Sequence, residues 1–157
     1  MVYMTHFFGA WMQFIAPMSV LDIKTNYKQK LMFTTLLGSI TIVARNIYRW
    51  ISLPFGVHTM IFALTAVLLM KKIVPELSWM KTIFIIWMNM LVVTIVEILI
   101  LFPITLYFGV TMRQVESNPL LICLFSGLGS NMGLIIAWGI GKHRNRLKQS
   151  VSLGKRM

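Results

Sequence analysis

The longest apolar stretch of the chain reads TIFIIWMNMLVVTIVEILILFPITLYF and occupies residues 82–108. It carries a single charged side chain, Glu97, and one proline, Pro103, close to its end. A helix needs about 20 mainly apolar residues to cross the hydrocarbon core of a bilayer. This stretch is therefore long enough for one membrane span.

Four further stretches are apolar enough to be interpreted as spans, although one of them is short. Hydrophobic residues make up 57% of the 157 residues and charged residues 12%, whereas ordinary soluble domains have about 25% charged residues. A soluble domain of this length cannot bury so much apolar surface. We predict an all-α, polytopic membrane bundle of about five transmembrane helices, residues 1–141, followed by a basic cytoplasmic tail, residues 142–157. The predicted spans are 2–21, 31–51, 55–70, 82–108 and 120–141.

The positive charges are unevenly distributed along the chain. Fifteen Lys and Arg residues stand against four acidic residues. Because Lys and Arg accumulate on the cytoplasmic side of membrane proteins, we expect a multi-pass protein of the cell membrane with the N-terminus outside and the C-terminus in the cytoplasm. We expect this basic face to meet anionic lipid headgroups, and we do not expect nucleic acid as a partner. The residues assigned to the cytoplasmic side are Lys24, Lys28, Lys30, Lys71, Lys72, Lys81, Lys142, Arg144, Arg146, Lys148, Lys155 and Arg156, against Arg45, Arg49 and Arg113 on the other side.

Glu97 and Arg45 are expected at a similar depth in the bilayer. Both lie about 21–23 Å from the cytoplasmic edge of their spans at about 1.5 Å per residue, and a carboxylate inside a span usually faces a partner or a cavity. One interpretation is an ion pair between them. The other is that Glu97 is simply protonated, or is bonded to a neighbouring Thr or Asn. Arg49 and His58 fall on the same outer side, so we predict a ligand-sensing cluster of Arg45, Arg49, His58 and Glu97. Alternatively, Arg49 reaches lipid headgroups and His58 caps a helix.

The last predicted span contains small residues at every fourth position. These are Gly129, Gly133, Ala137 and Gly141, which fall on one helix face. Small residues let two helix backbones approach closely. The pattern therefore predicts a helix-packing face, either inside the bundle or between two copies in a homo-oligomer.

No catalytic or metal-binding motif is found in the sequence. Cys123 is the single cysteine, so neither a CxxC pair nor a cysteine-rich zinc cluster is available. The chain contains no HExxH, GxSxG or P-loop sequence. Its thirteen methionines are scattered and form no compact repeat with His or Cys. We therefore expect a protein that is not an enzyme and holds no cofactor or metal.

Several short motifs resemble one known family. They are Ala44-Arg45 with Arg49, the sequence LPFGVHT at residues 53–59, Glu97, and SNPLL at residues 117–121. In this order they resemble the multi-span N-terminal sensor region of Firmicutes sensor histidine kinases with a GHKL-type ATP-binding domain. In that family a dimerisation and kinase domain follows the last span. No phospho-accepting His segment or ATP-binding box follows here, so we expect a detached sensing or accessory module.

The resemblance and the composition together predict a non-enzymatic membrane sensor or regulatory module. It would act through a membrane or cytoplasmic protein partner, for which the resemblance suggests a histidine kinase component. One alternative is a membrane-embedded component of a transporter that depends on separate ATPase subunits. Another is a structural or assembly protein that uses the small-residue face of the last span.

Overall fold

Every element of the described chain is helical. A computed structural model describes residues 2–48, 57–110, 114 and 118–154, and no strand occurs among them. The prediction of an all-α protein is confirmed for this part of the chain. The elements are α1 (Val2–Val20), α2 (Tyr27–Tyr48), α3 (Val57–Ile73), α4 (Trp79–Val96), the π-helix π1 (Glu97–Leu101), α5 (Phe102–Tyr107), α6 (Pro119–Ile122), the π-helix π2 (Cys123–Gly129) and α7 (Ser130–Gly154).

Two helical runs of the described residues are long and apolar enough to cross a membrane. The first, Trp79–Tyr107, has a mean hydropathy of 2.5 and comprises α4, π1 and α5. The second, Cys123–Lys148, has a mean hydropathy of 1.5 and comprises π2 and most of α7. Both runs are mostly unburied, because only 22% and 18% of their apolar windows lie inside the protein.

Helix ends differ from the predicted spans where capping side chains set them. We predicted a connection up to residue 30, but α2 begins at Tyr27. Asn26 and Gln29 bond reciprocally: the Gln29 amide donates to Asn26 Oδ1 at 2.8 Å, and the Asn26 amide donates to Gln29 Oε1 at 2.9 Å. This capping box satisfies two amides that a helix start leaves unpaired.

The basic segment after residue 141 is also helical. The predicted boundary at residue 141 separates a membrane span from a basic tail, and α7 runs through both without interruption as far as Gly154. Lys, Arg, Gln and Leu are good helix formers, so the segment that leaves the apolar region keeps the same conformation. Whatever α7 contacts in the bundle is thus joined to the basic segment by one helix.

Helix α1 is central to the packing. It contacts α2, α4, π2 and α7. Phe14 is fully buried, and its ring lies 4.9 Å from that of Phe33 on α2. The helix ends at Val20. Two residues later Asp22 has a φ of 59°, in the left-handed region, and the amide of Ile23 donates to Met18 O at 2.9 Å. This bond from the residue after the left-handed one closes the last turn of α1.

Large apolar side chains cover the outward faces of α3 and α4. On α3 they recur at Met60, Leu64 and Leu68, one turn apart, and all three are exposed. On α4 the exposed residues include Trp87 and Leu91. Soluble monomers seldom expose apolar patches beyond a few hundred Å², so these faces need an apolar environment.

Candidate functional site

A cavity of about 360 Å³ lies among α1, α2, α3, the α4–π1 junction and α7. We call it the polar cavity, because eight of its fifteen lining residues carry a polar or charged side chain. Its remaining wall is apolar and includes Ile40, Phe62 and Val93. Hydroxyl, amide, imidazole and carboxylate groups therefore share one space between the helices. The polar lining residues are Thr5, His6, Gln13, Thr41, Thr59, Glu97, Ser130 and Asn131.

Glu97 is the carboxylate of the polar cavity. It is the first residue of π1, where the α-helical hydrogen-bonding pattern of α4 ends. The amide of Phe102 donates to Glu97 O, which is the five-residue step of a π-helix. Within the described residues the Glu97 carboxylate makes no ion pair. Its carboxyl group therefore lies at the wall of the cavity within a long apolar helical run, a position where ionisable side chains usually serve a function.

The two π-helices contact each other beside the polar cavity. A Cβ atom at Gly129 in π2 would lie 2.7 Å from Leu101 Cδ2 in π1, so the glycine admits the Leu101 side chain. At the end of π2, Ser130 Oγ donates to Phe125 O at 3.0 Å and satisfies a carbonyl five residues back. π-helical turns are rare and occur frequently at functional sites.

Asn131 lies where α1 and α7 approach each other. Its side chain is buried, and Nδ2 donates to Gly127 O at 2.8 Å. A Cβ atom at Gly9 would stand 3.5 Å from Asn131 Nδ2, so the amide packs against the backbone of α1. The amide is thus held in place at the wall of the polar cavity.

Below the polar cavity, a side chain from α4 stabilises a break in the hydrogen bonding of α1. Pro17 has no backbone N–H, so it cannot bond to the carbonyl four residues earlier, which belongs to Gln13. Asn89 Nδ2 donates to this carbonyl at 2.7 Å, and Asn89 itself is buried. The Asn89 amide replaces the bond that Pro17 removes and joins α4 to α1.

Of the four residues predicted as a sensing cluster, Glu97 is placed at the polar cavity by the structure. Arg45 lies in α2 and His58 in α3, but their side chains lie outside the described part, and Arg49 lies outside it altogether. Their neighbours Ala44 and Thr59 do line the cavity. The ion pair between Arg45 and Glu97 stays a prediction.

Sequence reasoning missed the contribution of α1 to the cavity. His6, Gly9, Ala10 and Gln13 all line it, and their spacing of i, i+3, i+4 and i+7 is that of one helix face. Two polar side chains on one face of an otherwise apolar helix were a usable signal. The polar residues of α7 that line the cavity, Ser130 and Asn131, were not predicted as part of a site either.

The small-residue face of α7 and π2 makes contacts inside the chain. Cβ atoms would lie 2.6 Å from Val92 Cγ1 at Gly133 and 2.7 Å from the backbone of Ser19 and Val20 at Gly141. Gly129 meets Leu101 as described above, and Ala137 is partly buried. These glycines bring the last helical run close to both α4 and α1.

At the other end of α1, the basic part of α7 holds the last carbonyls of that helix. Asn145 Nδ2 donates to Ser19 O at 2.9 Å, and the Arg144 guanidinium donates to Val20 O. Lys148 Nζ lies 3.1 Å from Asp22 Oδ2. We call these contacts the α1–α7 clasp. It satisfies carbonyls that a helix end leaves unpaired and places positive charge at the negative end of the helix dipole.

The chemistry of the polar cavity suits ligand binding. Its hydroxyl and amide groups can donate and accept hydrogen bonds, and the Glu97 carboxylate can attract a positive group. Among the described residues, no group of three His, Cys, Asp or Glu side chains could hold a metal ion.

Comparisons of the chain with protein-family models, with curated proteins and with solved structures find no match.

Proposed function

We propose that this protein is a five-span membrane sensor or regulatory module that binds a small polar ligand in the polar cavity and acts through a protein partner. Helices α1, α2 and α3 would be spans beside the two long apolar runs, with the N-terminus outside and the C-terminus in the cytoplasm. They contain 19, 22 and 17 residues. At about 1.5 Å per residue they measure roughly 26–33 Å, which matches a hydrocarbon core about 30 Å thick.

The exposed apolar faces of α3 and α4 support the membrane placement. Met60, Leu64 and Leu68 are 58–67% exposed, and Trp87 is 66% exposed. Lipid chains would cover these side chains without a further protein. Polar groups, in contrast, are gathered at the cavity and at the basic end, as expected for a bundle whose outside is lipid.

One observation carries the sensing role: α1 takes part in both the polar cavity and the α1–α7 clasp. Its first half supplies cavity residues, including His6 and Gln13, and its last turn is bonded to Arg144 and Asn145. Suppose that α1 can take up two positions in the bundle and that a ligand binds one of these arrangements more tightly than the other. The ligand would then shift the basic part of α7 as well. We assign the basic part of α7 as the surface that contacts the partner, which would be a histidine kinase component or a similar regulator.

Ligand binding can be tested by thermal unfolding of the detergent-solubilised protein with amino acids, amines and short peptides as probes. We expect at least one probe class to raise Tm in a concentration-dependent way, since a ligand that binds only the folded state stabilises it. The shift should be lost in Glu97→Gln and retained in Thr94→Val, a matched control because Thr94 is exposed on α4 and does not line the cavity. Equal shifts in both variants would refute the cavity as the site.

The partner can be tested by a crosslinked pull-down from native membranes with a C-terminal tag. Recovery of a histidine kinase or response-regulator component would support the sensor. Recovery of ATPase and scaffold subunits would instead indicate transport, and recovery of the protein alone would indicate self-association.

A transporter component is the second candidate, and the paired π-helices favour it. Many transporters place their substrate sites at interrupted helices. Here π1 lies within the first long apolar run and π2 opens the second, and the two contact each other beside the cavity. Proteoliposomes with a labelled probe that binds the cavity separate the two functions. Concentrative uptake, in the presence of the recovered partners, favours transport, whereas binding without flux favours sensing.

A further inference from the structure

A second cavity, of about 540 Å³, lies between α1, α2 and α7 at the basic end of the bundle. One wall of this cavity is apolar and follows α1 through Trp11, Ile15 and Met18. Two lysines line it as well, Lys30 near the start of α2 and Lys142 on α7. We call it the basic groove.

The charges at the basic groove are arranged to favour an anion. Lys142 Nζ lies 4.9 Å from the centroid of the Trp138 ring, which holds the ammonium group at the groove wall. Lys30 is partly buried, and hydroxyl groups of Ser19 and Thr25 also line the groove. The acidic residue of the adjacent turn, Asp22, is paired with Lys148 and adds little net negative charge.

We propose that the basic groove binds one anionic phospholipid. The phosphate would lie by Lys30 and Lys142, and an acyl chain would run along the apolar wall of α1 from Met18 to Trp11. This wall is about 10 Å long at about 1.5 Å per residue. The assignment rests on the membrane placement proposed above, but not on the sensing role.

The combination of walls and charges selects this occupant. An apolar groove alone would take any lipid chain, and lysines alone would take any small anion. Basic pockets between membrane helices on the cytoplasmic side are typical sites for anionic headgroups. Two lysines near the phosphate should favour an anionic over a zwitterionic lipid by roughly tenfold.

The proposal can be tested with brominated phospholipids, which quench tryptophan fluorescence on contact. The full chain with Trp50, Trp79 and Trp87 changed to Phe keeps Trp11 and Trp138, which both line the groove. It is reconstituted in phosphatidylcholine vesicles with increasing brominated phosphatidylglycerol or brominated phosphatidylcholine. We expect half-maximal quenching at a several-fold lower mole fraction of the anionic lipid.

Charge variants test whether the two lysines of the groove cause the preference for the anionic lipid. Lys30→Gln with Lys142→Gln should abolish the preference, whereas Lys72→Gln with Arg146→Gln, which removes the same charge from exposed positions outside the groove, should leave it. Added glycerol phosphate should not displace the lipid. Equal quenching by both lipids, equal loss in both double variants, or displacement by glycerol phosphate would each overturn the proposal. Absence of quenching by either lipid would refute the membrane placement as well.

Discussion

At the scale of single residues, buried amides of the bundle are matched to particular backbone carbonyls. Asn89 bonds to the carbonyl of Gln13 that Pro17 leaves unpaired, and Asn131 bonds to the carbonyl of Gly127. Each bond removes an unsatisfied polar group from an apolar interior, where such a group is costly. The contribution of the Asn89–Gln13 bond to stability can be measured, because Pro17 and Asn89 lie on different helices and can be substituted separately.

Asn89→Leu should destabilise the protein by about 1 kcal/mol, because it leaves the Gln13 carbonyl without a donor. In a Pro17→Ala background the same change should cost much less, since the substituted alanine restores a backbone N–H to that carbonyl. A double-mutant cycle of unfolding in mixed detergent micelles measures this coupling. Additive effects of the two substitutions would show that Asn89 does not compensate for the hydrogen bond that Pro17 removes.

The sequence identified Glu97 but neither Asn89 nor His6 as a member of a site. A lone carboxylate in residues 82–108 is conspicuous because its cost in a membrane is high. Asn89 and Pro17 belong to different helices, and hydrophobicity alone does not tell which helices are neighbours. Their relation becomes visible only when α1 and α4 are placed side by side.

At the scale of elements, apolar runs located the helices, whereas capping and packing set their ends and contacts. Asn26 and Gln29 start α2 earlier than its apolar run, and α7 passes through the predicted boundary at residue 141. Neither π-helix was predicted, because an apolar run that indicates a helix does not distinguish an α-helical turn from a π-helical one. The glycine stripe predicted close packing without identifying the partner helices, which are α1 and α4.

Gly141→Ala should destabilise the bundle by about 1–3 kcal/mol, because its methyl group would collide with the backbone of α1 at Ser19 and Val20. Backbone cannot move aside as a flexible side chain can. Gly139→Ala is the matched control two residues earlier in α7, where a Cβ meets nothing within 4 Å. That change should be neutral or stabilise by up to about 1 kcal/mol through helix propensity. Unfolding of the two variants in detergent measures both changes in the free energy of unfolding. A smaller loss of stability for Gly141→Ala than for Gly139→Ala would contradict the close approach of α1 and α7.

At the scale of the whole molecule, five helical runs of the described residues line the polar cavity, and basic residues such as Lys30, Lys142 and Arg144 lie at the other end of α1. Composition predicted a helical bundle but not the polar cavity inside it, because the cavity is lined by side chains of elements that lie far apart in the sequence. The uneven distribution of Lys and Arg predicts the orientation of that bundle. In the proposed orientation, the polar cavity lies in the outer half of the membrane and the basic groove lies at the cytoplasmic surface.

The most direct test of this account is cysteine labelling in intact cells with a membrane-impermeant maleimide, in a Cys123→Ala background. Thr59→Cys places a thiol at the polar cavity, and Arg146→Cys places one on the basic part of α7. The account predicts that Thr59→Cys is labelled in intact cells and Arg146→Cys only after permeabilisation. Labelling of Arg146→Cys in intact cells, or of Thr59→Cys only after permeabilisation, would contradict it.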